Sequence, residues 1–186
     1  MRYNFYTIGH STHSVPELAA LLQEAGPDLL VDVRSVPRSR ANPPFNADIL
    51  PRELAKFGIG YERIPELGGL RKRPKSEGPS PNTFWENESF RNYADYAMTR
   101  PFREGLARLK QLGSKHVCAI MCAEALWWRC HRRIIADYLL AEGNPVRHIM
   151  GHGSIEPARM TQGAATTREG TVVYAREPSG HRSTSR

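Results

Sequence analysis

The chain alternates short apolar runs with helical apolar patterns, and this predicts a three-layer α/β fold. The sheet is expected to be mostly parallel, doubly wound (Rossmann-like) and flanked by helices. Two stretches carry the prediction. Residues 29–33 form an apolar run broken only by Asp32, as in a strand buried on both faces, and residues 116–121 form a second such run. Between and around them, apolar positions recur with a period near 3.6.

Residues 4–8 are short, aromatic and closed by Gly9, which predicts a first strand. Ser14-Val-Pro-Glu17 reads as a capping box with proline in the first helical turn. Apolar residues at 15, 18, 19, 21, 22 and 25 then follow helical spacing up to Gly26-Pro27. Strand, helix, strand in this order implies a parallel pair joined by a crossover. A modest helix is expected over 48–57, closed by Gly58, and a third strand over 60–64. Residues 66–83 are rich in Gly, Pro, Lys and Arg without periodicity and read as one long loop. Helices follow over 89–98 and 101–112, then the 116–121 strand, a helix over 126–141 and a strand over 146–150. Past Gly151 one edge strand is expected at 171–174. The reading is one α/β domain over 1–150 and a C-terminal extension over 151–186, with about the last eight residues disordered.

Composition narrows the classes. The apolar share of 40% and charged share of 24% are those of a globular domain. No run approaches the ~18–20 apolar residues of a membrane span, and no signal peptide is visible, so a cytoplasmic location without membrane partners is expected. Three cysteines, an odd number, argue for free thiols, a metal site or a catalytic thiol over a disulfide framework. A net charge of +7 is attractive to phosphates, but it is scattered, with its densest group at Arg71-Lys72-Arg73. Neither a Gly-x-Gly-x-x-Gly nor a Walker motif occurs, which argues against ordinary dinucleotide or ATP binding. No cofactor and no oligomeric state can be read.

Parallel sheets bind ligands beyond the carboxyl ends of their strands. Four segments sit just past predicted strand ends: His10-Ser11, Asp32 to Arg40, residues 66–73 with Gly68-Gly69 and Arg71, and Cys122 to Arg132. The last packs two thiols, a carboxylate, an imidazole and two guanidiniums behind a core strand. Cys122 admits three readings. It can be a nucleophile activated at a helix start, a metal ligand with Cys130 and His131, or a small buried apolar group. The metal spacing is irregular, and on one helix adjacent Cys130 and His131 would point about 100° apart. Glu124, His10 and His131 are candidates for acid/base work, with a helix-start acid and packed histidines as the plain alternatives. Buried Asp32 needs a partner, for which Arg34 and Arg132 are the candidates. Arg34 and Arg40 can grip an anion, with Ser11, Gly68, Gly69, Arg71 and Arg132 lining the same crevice. Trp127 and Trp128 can stack a base, although helical spacing puts one of them in the core.

These residues fall into blocks. Thr7-Ile-Gly-His-Ser11, Val31-Asp-Val-Arg-Ser35 with 37–40, Gly58-Ile-Gly-Tyr61, Leu67-Gly-Gly69, Phe90-Arg-Asn-Tyr-Ala-Asp95, Met121-Cys-Ala-Glu124 and Cys130-His-Arg132 occur in order. Together they resemble the bacterial and archaeal "domain of unknown function 488" family over about residues 4–150. The resemblance implies a single α/β domain whose blocks line a common site, and it implies no activity. The functional expectation is a small enzyme acting on an anionic, nucleotide-like or phosphate-bearing ligand through Cys122 and Glu124 with His10 and His131. The alternatives are a nucleotide or nucleic-acid binding module and a Cys/His metal-binding protein.

Overall fold

A computed structural model describes residues 2–72 and 78–176. Its core is a six-stranded sheet ordered β3-β2-β4-β1-β5-β6, formed by β1 (Phe5–Gly9), β2 (Leu29–Asp32), β3 (Gly60–Arg63), β4 (Cys118–Cys122), β5 (Val146–Gly151) and β6 (Ser154–Pro157). Strands β1 to β5 pair in parallel, and β6 closes one edge antiparallel to β5. Helices α1 (Val15–Ala25) and α2 (Leu50–Ala55) cover one face, packing Leu18, Leu22, Leu50 and Leu54 against Ile8, Leu30 and Met121. On the other face α3 (Glu88–Ala97), α4 (Arg100–Gly113) and α5 (Arg132–Ala141) bury Tyr93, Phe102, Leu109 and Ile134 against Val31, Cys118 and Ile120. This is the expected three-layer fold.

The start of α1 follows its sequence. The Ser14 hydroxyl accepts from the Glu17 amide, Glu17 returns a bond to the Ser14 amide, and Gly26 closes the helix in the left-handed conformation at φ 101°. The parallel pair expected from β1 and β2 is real in direction but not in adjacency, because β4 lies between them. That insertion creates the crevice. The chain leaving β2 runs to the α2 face, whereas the chain leaving β4 runs to the α5 face. Neighbouring strands whose connections diverge in this way leave a cleft above their carboxyl ends.

Three local expectations change. The helix expected over 126–141 begins only at Arg132. Before it, Trp127–Arg129 make one 3-10 turn and Cys130 is extended (φ −123°, ψ 146°). Tertiary contacts override the helical spacing there: Trp127 lies flat on His148 with ring centroids 4.2 Å apart, and the buried Arg132 guanidinium bonds back to the Glu124 carbonyl. The long loop contains a 3-10 turn at Pro65–Leu67, and residues 73–77 lie outside the described residues. The C-terminal stretch adds β6 and a small antiparallel pair, β7 (Ala164–Thr166) with β8 (Val172–Tyr174). Val172 and Tyr174 are buried in the same core as α3 and α5, and the Tyr174 hydroxyl donates to the Asp137 carboxylate at 2.8 Å. The tail expected to be disordered lies outside the described residues. Among the described residues no helix is long and apolar enough to cross a membrane.

Candidate functional site

Beyond the ends of β2 and β4 lies a cleft of about 310 Å³. Arg34, Ser35 and Val36 form one wall and Cys122, Ala123 and Glu124 the other. Gly69 and Leu70 enter from the loop after β3, Phe90 and Tyr93 from α3, and Arg129, Cys130 and His131 from the turn before α5. Three of the four strand-end segments line it, the segment after β1 does not, and not all candidate residues of the other three face the cleft. His10, Ser11, Asp32, Arg40, Gly68, Arg71 and Arg132 lie outside its lining.

Several of these build the walls. Asp32, fully buried, is paired with Arg34 and not with Arg132. It accepts from Arg34 Nε at 2.9 Å, Nη2 at 2.6 Å and the Arg34 amide at 3.0 Å, and the Tyr61 hydroxyl adds a bond at 2.7 Å. Arg34 also donates from Nη2 to the Phe45 carbonyl at 2.7 Å and reaches His10 Nε2 at 3.4 Å. His10 therefore presents Nε2 as an acceptor and donates Nδ1–H to the Ser11 carbonyl at 3.0 Å. Burial first, and the Arg34 charge second, lower its pKa to about 4, so near neutrality it is an uncharged support stacked on Phe45 at 4.3 Å. Ser11 sits at φ 44° and extends the β1–β4 pairing through its amide to the Ala123 carbonyl. Arg71 clamps its own loop, donating to the Gly68 and Pro65 carbonyls while lying 3.9 Å over the Tyr96 ring. Gly68 packs on Ser35. Arg40 is exposed.

The chemistry concentrates on Cys122, Cys130 and His131, whose sulfur and nitrogen atoms all lie within 4.8 Å of one another. His131 Nε2 is 3.1 Å from the Val33 carbonyl, which can only accept, so Nε2 carries the proton. Nδ1 is left with its lone pair facing Cys130 Sγ at 3.6 Å. Tyr93 sits edge-on to the imidazole at 4.9 Å, its hydroxyl fixed on the Leu67 carbonyl. Gly69 packs flat against the same ring. A Cβ at Gly69 would run into the imidazole, so Gly69→Ala should cost about 1–3 kcal/mol in a thermal unfolding measurement by displacing His131.

The two thiols are unequal. A hydrogen bond from Cys122, helped by the Arg132 guanidinium, pulls the Cys130 thiol well below the ordinary range. The same bond, together with burial, pushes Cys122 up. Arg132 is 1% exposed, donates from Nε to Cys130 Sγ at 3.2 Å, and has no carboxylate partner among the described residues. A buried cation needs a counter-charge, and the Cys130 thiolate is the group in contact to supply it. Cys118, buried in β4 and raised to about 12 by burial, behaves as a small apolar side chain. Glu124 is exposed on the rim, its carboxylate accepting from the Leu126 amide at 3.2 Å. Arg129 is exposed on the same rim, and its guanidinium has no partner among the described residues. Trp127 is held by His148, leaving Trp128 the exposed member of the pair at 43%.

A doubly wound α/β domain with a sulfur-rich cleft at its strand switch point is thus the class that fold and site define. The chain belongs to the family described as domain of unknown function DUF488, whose model matches residues 14–139. Among curated proteins and solved structures, none matches the chain.

Proposed function

We propose that the protein is a thiol-dependent enzyme acting on a small anionic ligand in the cleft between β2 and β4, with Cys130 as the attacking sulfur. The observation that carries this reading is the buried Arg132 guanidinium, which has a cysteine sulfur where a carboxylate would normally sit. The cleft divides the remaining work. Val36, Leu70, Phe90 and Tyr93 offer an apolar wall, and Arg129 offers the unpaired cation that an anionic group would seek. In a substitution the Cys130 lone pair forms the new bond as the leaving group departs with its electrons. Cys122 steadies the sulfur, and the His131 Nδ1 lone pair can hold a proton beside it. Glu124 on the rim is the further acid/base group, while His10 acts only by fixing Arg34. A cytoplasmic site of action accompanies this reading.

Two haloacetyl reagents of nearly equal size test it without knowledge of the substrate. Iodoacetate carries a carboxylate and iodoacetamide does not. At neutral pH, peptide mass spectrometry should find Cys130 labelled first, and iodoacetate favoured over iodoacetamide by about tenfold relative to a free thiol. Arg129→Gln should erase that preference without slowing iodoacetamide. Labelling of Cys130 no faster than of a model thiol, or no preference for the anion, overturns the proposal.

A further inference from the structure

The sulfur and nitrogen atoms that define the cleft have a second geometric property. A tetrahedral zinc with Zn–S of about 2.3 Å and Zn–N of about 2.1 Å places a sulfur and a nitrogen ligand about 3.6 Å apart, and two sulfurs about 3.8 Å apart. Cys130 Sγ and His131 Nδ1 are separated by 3.6 Å, and all three candidate ligand atoms fall within 4.8 Å of one another. We propose that Cys122 Sγ, Cys130 Sγ and His131 Nδ1 form a three-ligand site for a divalent metal of the zinc type, with the fourth coordination position open to the cleft.

Three further features support the assignment. First, the tautomer is preset. The Val33 carbonyl takes the Nε2 proton and leaves the Nδ1 lone pair directed at the sulfurs, the usual outer-shell arrangement of a metal-binding histidine. Second, Cys130 Sγ already receives an N–H donor, Arg132 Nε at 3.2 Å. Such a bond stabilises sulfur as thiolate, the form in which it binds metal. Third, the ten-residue excursion from Cys122 to His131, with Cys130 extended just before the helix, removes the geometric objection to adjacent Cys and His ligands on one helix. Two thiolates and a neutral imidazole balance a divalent ion, and the Arg132 charge beside them is then left for an anion at the open position. Two soft ligands and one imidazole favour zinc over magnesium or calcium, which take oxygen. Three protein ligands with an open corner is the pattern of a catalytic zinc site, not of a closed structural one.

The inference rests on the cleft being the working site, as proposed above, and specifies the state of its sulfurs. Metal-free protein presents Cys130 as a nucleophile. In the loaded protein each sulfur would give one lone pair to the metal and be the weaker nucleophile for it, and an anionic ligand could coordinate at the open corner.

Titration of the reduced, metal-free chain with Zn²⁺ against a chromophoric chelator, and with Co²⁺ followed by absorbance, is the test. The expected result is one ion per chain, sulfur-to-cobalt charge-transfer bands in the near ultraviolet, and intense visible bands of tetrahedral cobalt. Cys130→Ser and Cys122→Ser should each weaken zinc binding at least about a hundredfold, His131→Gln by about ten- to a hundredfold, and Cys118→Ser not at all. Circular dichroism of each variant confirms that it is folded. Bound zinc should also slow iodoacetate labelling of Cys130 at least about tenfold. Anion-selective labelling without stoichiometric metal uptake overturns the metal site and leaves the enzyme reading standing. Metal uptake without anion-selective labelling does the reverse.

Discussion

Asp32→Ala should destabilise the protein by about 3–5 kcal/mol, the cost of removing one partner from a buried ion pair. Asp32 is 0% exposed and Arg34 5%, so the guanidinium left behind has little water to turn to. Its remaining contacts are the Phe45 carbonyl and His10 Nε2, both neutral. Tyr61 would lose the acceptor of its hydroxyl at the same time. Asp32→Asn keeps the shape and one acceptor oxygen, so it should lose less. The decisive measurement is a double-mutant cycle read by urea unfolding. Asp32→Leu combined with Arg34→Met should be more stable than the sum of the single losses implies, because no unpaired charge is left. Simple additivity would show that the two groups do not depend on each other. The same pair shapes the wall of the cleft, since Arg34 leads directly into Ser35 and Val36. Asp32→Ala leaves that wall with an unpaired cation and should therefore raise the preference of Cys130 for iodoacetate over iodoacetamide.

This pair shows how much of the site is legible in the sequence. A carboxylate inside an apolar run must have a partner, so Asp32 announced an ion pair, and the structure decides between its two candidate arginines. The strand-end rule located the crevice, because periodicity marks parallel strands well and their carboxyl ends follow from chain direction. Strand order was not legible. Nothing local says that β4 inserts between β1 and β2, yet that insertion makes the loops after β2 and β4 diverge. The turn before α5 departs from its local pattern for a related reason. Residues 126–141 have helical spacing, but Trp127 is claimed by His148 on β5 and Arg132 by the Glu124 carbonyl, both contacts distant from their local pattern. From spacing alone Cys130 reads as a metal ligand or a small buried apolar group, and its contact with Arg132 exists only in the folded turn. Tyr61 and Tyr93 show no role in the sequence beyond lying inside blocks that carry the family resemblance. Their functions, holding Asp32 and His131, exist only in three dimensions.

Acid should unfold this protein earlier than its core would suggest. His148 is 2% exposed, stacked on Trp127 and bonded through Nδ1 to the Thr7 hydroxyl at 2.7 Å. Burial first, and then the nearby Arg132 charge, lower its pKa from 6.5 to about 4. His10 is lowered to about 4 as well, by burial and Arg34. A histidine whose folded pKa lies below its unfolded value takes up protons more readily when unfolded. Its contribution is therefore intact above about pH 6.5 and is lost as pH falls towards 4, by about 3 kcal/mol for each ring. Two rings together approach the whole stability of a typical domain, about 5–15 kcal/mol. Asp137 opposes them, because burial raises its pKa and protonation then favours the folded state. It cannot cancel both, since it accepts bonds from the Thr161 amide and the Tyr174 hydroxyl that favour the carboxylate. Urea unfolding followed from pH 7.5 down to 4.5 should show a steep loss of stability beginning near pH 6.5. His148→Gln, which cannot take up a proton, should have a shallower profile even if it starts from a lower value at pH 7.5. An equally steep profile in that variant would mean that His148 is not held neutral by its burial against Trp127, and that the acid sensitivity arises elsewhere in the fold.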